Sequence, residues 1–438
     1  MTREALVLCC SVSLLLAAQG FAQTGPNTVE FSFSNPGARS MGFGGAFVAL
    51  ADDATAAFAN PAGLVQLNGP EVSIEGRLWS YATPFTEGGR ISGPPTGIGL
   101  DTTPGLRTAV SSDALSGLSF LSLVYPKGPA SLAVYRHQLA NFKAASMTDG
   151  LFGTTPRGEP FRFRDLRTVI ELRIVSYGAS GAYRLSDNFS LGIGVAYFVG
   201  KFTSEGEVFA PVAETLPDGL FGHNIYYPGA VTERALARLD DSSWGVSGGF
   251  LWQVEERWSL GAVYRQGPSF ELSVVERAGP ALNPFVPEGT LLESDPDVPI
   301  DFPDVFGLGV AFKSKSGAIT ATAEWDYVRY SAITDSLVSD LVDEDAELDD
   351  VNEFHMGFEY VFVATAPLLA LRLGAWLDPD HRIRNNQNAI TRALFQSGED
   401  HWHFALGFGL AFQRFQFDLG IDLSKLRDTA SASVIFSF

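Results

Sequence analysis

The C-terminal stretch of the chain alternates, residue by residue, between large apolar and very small side chains, and no other feature constrains the fold as tightly. Trp402, Phe404, Leu406, Phe408, Leu410 and Phe412 are interleaved with His403, Ala405, Gly407, Gly409 and Ala411. Phe415, Phe417, Leu419, Ile421 and Leu423 then alternate with Gln416, Asp418, Gly420, Asp422 and Ser424. The last segment sets Ala430, Ala432, Val434, Phe436 and Phe438 against Ser431, Ser433 and Ser437, with Ile435 its one exception. Period two puts neighbours on opposite faces of a strand, so each segment has one greasy face and one nearly bare face. A soluble sandwich would need a second sheet over the greasy face and would not show solvent so glycine-rich a surface. In a membrane barrel, lipid covers the greasy face. The pattern recurs upstream at Phe189, Leu191, Ile193, Val195 and Tyr197, at Trp258, Leu260, Ala262 and Tyr264, and at Ile319, Ala321, Ala323, Trp325 and Tyr327. About fourteen such segments fit from residue 71 onward, an even number as in single-chain outer-membrane barrels. The expected fold class is all-β, a transmembrane antiparallel β-barrel.

The connections agree. Short links at 126–129, 185–188, 254–257, 313–316 and 364–367 alternate with long ones near 82–112, 144–165, 206–240, 276–301, 333–350 and 379–399. Barrels have short periplasmic turns and long extracellular loops. The final link, 425–428, is short where the alternation calls for a long one.

Export is written at the N-terminus, where Arg3 precedes an apolar run that ends in small residues near Ala22, the pattern of a signal peptide over residues 1–22. The two cysteines, Cys9 and Cys10, fall inside that run, so the remaining chain of about 416 residues has no thiol, disulfide or thiolate metal site. Its localisation is expected to be the bacterial outer membrane. A net charge of −20 opposes nucleic acid, because phosphate binding needs a basic face. The longest later apolar run, 361–371, contains Pro367 and falls short of the roughly 18 residues a membrane helix needs.

Residues 41–64, MGFGGAFVALADDATAAFANPAGL, lack the two-residue period and are too rich in small side chains for a strand. They read as a periplasmic leader or as a compact plug within the lumen, where small residues let backbone pack against the wall. Several motifs here and later carry a family resemblance. Ala51-Asp52-Asp53 and Asn60-Pro61-Ala62 resemble the hatch motif of FadL/TodX-type outer-membrane transporters of hydrophobic compounds. Pro303-Asp304-Val305-Phe306-Gly307-Leu308-Gly309, Ala323-Glu324-Trp325-Asp326-Tyr327 and Leu371-Arg372-Leu373-Gly374-Ala375-Trp376 are similar to that family too. The resemblance implies a barrel over 70–438 with an N-terminal hatch over 23–69, gated around Asp52, Asp53, Asn60, Pro61 and Ala62. It implies passive transport of hydrophobic small molecules such as long-chain fatty acids, captured at extracellular loops and released sideways through the wall. The hatch region also resembles PorV-type barrels, which serve protein secretion, so a secretion-associated or structural barrel is the alternative.

Ligand candidates follow from apolar residues in loops that are ordinarily polar. Phe209, Phe221, Tyr226 and Tyr227 lie in one loop and Phe285 and Val286 in another. They read either as a landing groove for an acyl chain or as loops packed on each other or on lipopolysaccharide. A fatty acid carboxylate would want a cation, and parity points Arg173, Arg265 and Arg372 into the lumen, where each can instead pair with acids such as Glu171, Glu324, Asp418 or Asp422. His401 and His403 share a lumen face, but no third ligand is fixed by spacing, so no metal is expected. No histidine has a serine that parity places beside it, so an enzyme is not expected. The remaining expectations are no cofactor, a monomer, and outer-membrane lipid and lipopolysaccharide as surroundings.

Overall fold

Alternating residues make strands, and here the strands close on themselves. The computed structural model describes residues 34–438 apart from 155–157, 159, 210–211, 216–220, 226–230, 281–284, 338–345 and 387–388. The signal-peptide reading and the candidates Tyr226 and Tyr227 lie outside the described residues. The wall is a closed 14-strand antiparallel barrel. Its strands are β1 (Glu71–Arg90), β2 (Leu106–Lys127), β3 (Ala130–Thr148), β4 (Asp165–Ser186), β5 (Phe189–Phe209) and β6 (Val231–Glu255). Then come β7, in two segments (Trp258–Arg265 and Ser269–Ala278), and β8, also in two (Leu291–Asp301 and Val305–Lys313). The rest are β9 (Ile319–Val328), β10 (Val351–Phe362), β11 (Leu368–Asp378), β12 (His401–Ala411), β13 (Phe415–Leu423) and β14 (Arg427–Ser437). Pairing of β1 with β14, from Glu71–Ser437 to Tyr81–Arg427, closes the sheet. Closure removes the free edges that an open sheet would expose. Among the described residues no helix is long and apolar enough to cross a membrane, which says nothing of a barrel.

Strand length divides the wall. β9 to β14 have 9–12 residues each, about what a tilted membrane strand needs. β1 to β6 have 19–25 and project beyond the lipid. The links expected as loops at 82–112, 144–165, 206–240 and 276–301 are therefore largely strand.

In the lipid belt of β4, Tyr177 and Tyr183 face outward and Ser176 and Ser180 inward; above Tyr177 the polarity inverts. Leu172 and Ile174 are buried in the lumen, while Glu171 and Arg173 are exposed outside. This corrects the inward placement of Arg173 and Glu171. Above the belt, water replaces lipid outside, so the apolar side of the strand turns in. Lys143 pairs with Glu171 at 2.6 Å on this outer surface.

Two seams interrupt the ladder. β2 and β3 pair only from Phe120–His137 to Lys127–Ala130; beyond a bulge at Leu139, β3 continues along β4 alone while β2 stays with β1. β6 pairs with β7 over Ser247–Arg265 to Glu255–Trp258 and again over Glu233–Ala278 to Arg238–Ser273, but not between.

Residues 34–69 enter the lumen as helix α1 (Ala38–Gly42), helix α2 (Ala56–Ala59) and a 3-10 turn (Pro61–Gln66). Phe43, Phe47, Leu50, Asn60 and Leu64 are fully buried there.

Candidate functional site

The bare lumen face exists to receive this segment. A Cβ on Gly374 would lie 2.1 Å from Gly44 N, and one on Gly357 would lie 2.5 Å from Phe43 O. On the other side, a Cβ on Gly192 would lie 2.2 Å from Ala62 N and one on Gly249 2.5 Å from Asn60 Oδ1. No side chain fits at such distances, so glycine is what lets backbone meet wall. The serines of the same face donate to the segment's carbonyls: Ser122 to Ala54, Ser180 to Ala57, Ser190 to Ala62 and Ser259 to Ala49, at 2.6–3.0 Å. These bonds satisfy buried backbone that has no regular ladder.

Asn60 organises the turn that the sequence singled out. Its Nδ2 donates to Val48 O at 2.9 Å and to Phe250 O of β6 at 3.0 Å, and its Oδ1 accepts from Ala62 N at 3.2 Å, capping the 3-10 turn. Pro61 stands at the first position of that turn, where a missing N–H costs nothing. Asp52 accepts from Arg39 at 2.5 Å and from Lys313 Nζ at 2.8 Å, tying the segment to the short-turn end of β8. Burial would raise Asp52, but the Arg39 guanidinium, with Lys313, holds its carboxyl well below the usual carboxylate range. Its neighbour Asp53 is raised by burial, although it accepts from Thr55 N and Oγ1, at 2.9 and 2.5 Å, and from Arg39 Nη1 at 3.3 Å. Glu324 of β9 receives Phe47 N and Val48 N, both at 2.7 Å.

The two lumen arginines are engaged. Arg372 bonds Glu359 and Asp418, each at 2.7 Å. Arg265 donates through Nη1 to Asn35 Oδ1 and Ala59 O, both at 3.0 Å, and its buried Nη2 makes no hydrogen bond but faces Asp326 Oδ2 at 4.0 Å. Of the loop candidates, Phe209 is buried at the end of β5, Phe285 is 90% exposed and Val286 half-buried. Phe221 begins a short strand (Phe221–Ile225) paired with Val212–Thr215.

His403 is buried, stacked on Trp376 at 3.9 Å and bonded to Asp422 at 3.1 Å; His401 is half-buried one step toward the loop. Among the described residues the one group of three that could hold a metal is Asp326, Glu353 and His355, within 4.8 Å of one another. In that group His355 Nδ1 lies 2.7 Å from Gly44 O and Nε2 3.3 Å from Glu353 Oε2, so the ring is held between the luminal segment and β10.

A cavity opens beside the segment, lined by Phe58 with Tyr135, Leu139, Phe198, Val246, Arg265, Gln266 and Val305 among others. Phe58 lies 4.2 Å from the His137 ring and 5.3 Å beneath the Arg265 guanidinium. Sequence reading missed this site except for Arg265, because its lining comes from separate strands and no short motif joins them. The one local signal was Gly267-Pro268 inside an otherwise regular strand pattern, which marks a break.

A model of the family described as outer membrane protein transport protein (OMPP1/FadL/TodX) matches residues 154–429, more than half of the chain. No curated protein matches the sequence significantly. Among solved structures, a Pseudomonas aeruginosa FadL homologue is similar at 15% identity and TM-score 0.63, over 94% of this chain and 99% of that one. The Pseudomonas putida toluene transporter TodX is similar at 15% identity and TM-score 0.55, over 94% and 99%. The CymD monoaromatic hydrocarbon channel is similar at 15% identity and TM-score 0.54, over 93% and 99%. Identities this low speak to fold alone, and the family model supplies the rest: the chain is an outer-membrane barrel that belongs to the outer membrane protein transport protein (OMPP1/FadL/TodX) family.

Proposed function

We propose that the barrel passes hydrophobic small molecules, long-chain fatty acids among them, passively across the outer membrane. Ligand is captured at the extracellular loops, the luminal segment acts as a hatch, and exit is sideways through the β2–β3 seam. The carrying observation is the cavity at Phe58: it lies between the segment and the wall and reaches Leu139, the bulged residue at that seam. Its walls are aromatic and aliphatic apart from Arg265, Gln266 and Ser247. An apolar lining suits an apolar ligand, and Arg265, whose Nη2 faces Asp326 at 4.0 Å without a hydrogen bond, is the cation within that lining that a carboxylate could use. No catalysis or cofactor is invoked, and the barrel works as a monomer in lipid and lipopolysaccharide.

The test is Asn60→Ala with Pro61→Gly, which removes the bonds to Val48 and Phe250 and frees the turn. Uptake of a hydrophobic probe should change while heat-modifiability and surface abundance stay normal. Deleting residues 41–64 should go further and leave a barrel leaky to small polar solutes. If both variants assemble yet match the parent in uptake and leak, the segment is only a leader, and a secretion-associated or structural role takes precedence.

A further inference from the structure

The wall is breached a second time, on the far side of the four strands β3 to β6. β6 pairs with β5 from Val231–Phe209 to Trp252–Phe189, so one of its edges is satisfied along the strand. On its other edge, residues 239–245 have no ladder partner, and the one backbone contact at the lower lip is Gln266 N to Val246 O at 3.0 Å. The cause is local chemistry. Pro268 has no N–H to offer β6, and Gly267 turns its N–H to Asp304 Oδ1 at 2.9 Å. Phe302 N bonds Pro268 O at 2.9 Å, and Asp304 Oδ2 also accepts from Tyr264 Oη at 2.9 Å, so the bend in β7 is stapled to β8. A Cβ on Gly267 would lie 2.1 Å from Phe302 O, so only glycine allows that approach.

What spans the seam is side chain. Asp241 Oδ2 accepts from Glu271 N at 3.0 Å, and Leu239 and Phe270 meet inside, over Gly200. Unpaired backbone is not tolerated against lipid hydrocarbon, and the seam begins where amphipathic aromatics mark the interface: Trp244 and Tyr264 face outward and exposed at its lower lip. Val246, 55% exposed on the outer surface, and Gln266 line the same cavity as Phe58 and Tyr135, which are buried in the lumen. The small cavity is thus lined by residues of both faces of the wall at this seam.

We propose that the β6–β7 seam is a second lateral port, through which apolar small molecules exchange between the lumen and the outer-leaflet interface. The proposal rests on the transport reading above. Phe58 serves both ports: it touches Tyr135 and His137 of β3 on one side and Arg265 of β7 on the other. A single movement of the hatch thus changes access to both.

The experiment uses the folded barrel in lipid vesicles and an alkylbenzene bearing a diazirine. Photolysis followed by mass spectrometry should place adducts on Val246 and Gln266 as well as on Leu139. Gly245→Trp, whose side chain would enter the space by Phe198, should abolish the Gln266 adduct and keep the Leu139 adduct. As a check that does not load the lumen, Ser242→Cys with Ser269→Cys, two exposed positions on opposite lips, can be bridged by a reducible cross-linker. Bridging should lower probe uptake, and reduction should restore it. Adducts confined to the β2–β3 seam, or uptake indifferent to bridging, would overturn the second port and leave the transport reading standing. Adducts at neither seam would overturn both.

Discussion

The two halves of the wall use one strand pattern to different ends. From β9 to β14 the strands are short, their ladders unbroken, and their glycines receive α1 and the turn at Phe43 and Gly44. From β2 to β7 the strands are about twice as long, the ladder opens at two seams, and the hatch meets them with Phe58 and a cavity rather than with backbone alone. Regular pairing makes a dock that holds its guest by fit. Interrupted pairing leaves two places where the ladder lapses, while β3 to β6 remain fully laddered to one another.

Filling the dock should break this division most strongly. Gly374→Leu places a side chain where Gly44 now lies, and overpacking of this kind costs about 1–3 kcal/mol. The undocked population should rise on the order of tenfold, read as leak of a small polar solute, with heat-modifiability unchanged. Gly248→Leu, facing out from β6 into ordinary contact distance, should not alter leak.

The tie at Asp52 sharpens the comparison with a smaller effect. A carboxyl held below its ordinary value stabilises docking at any pH above that value, and the contribution is lost only as pH falls through the lowered one. Leak through the parent should therefore stay flat from neutral to about pH 4 and rise in stronger acid. Asp52→Asn should leak more at neutral pH, without that acid limb. Asp53 has the opposite sign: burial raises it, so ionisation opposes docking at neutral pH, and Asp53→Asn should leave leak unchanged or lower.

Smallest of all should be His401→Ala with His403→Ala. The loss of the bond to Asp422 is worth about 1 kcal/mol, and the stacking on Trp376 and the ion pair to Asp378 go with it. The strand ladders are untouched, so assembly and uptake should persist, and metal content measured by elemental analysis should match the parent.

Much of the regular half was legible because one rule, apolar out and small in, holds along its whole length. His401–Ala411, Phe415–Leu423 and Arg427–Ser437 are strands where the alternation put them. The same rule misplaced Arg173, since above the lipid the outside is water and Leu172 and Ile174 turn inward. Alternation survives there, but its sign reverses, and a sequence does not print the height at which lipid ends. The luminal segment was recognisable by its small residues and by Asn60-Pro61-Ala62. Its wall contacts were not, because Gly374 and Gly192 look like any bare-face glycine until backbone is seen against them. The seams depend on where a ladder lapses between two strands, and apart from Gly267-Pro268 nothing local marks them.

The central claim is that this barrel carries apolar small molecules in its lumen, and extraction of the purified protein tests it most directly. Mass spectrometry of an organic extract should find an apolar or amphipathic molecule retained by the parent barrel and lost on deletion of residues 41–64. An extract without such a molecule, from a barrel that also admits hydrophobic probe no faster than protein-free vesicles, would contradict the account.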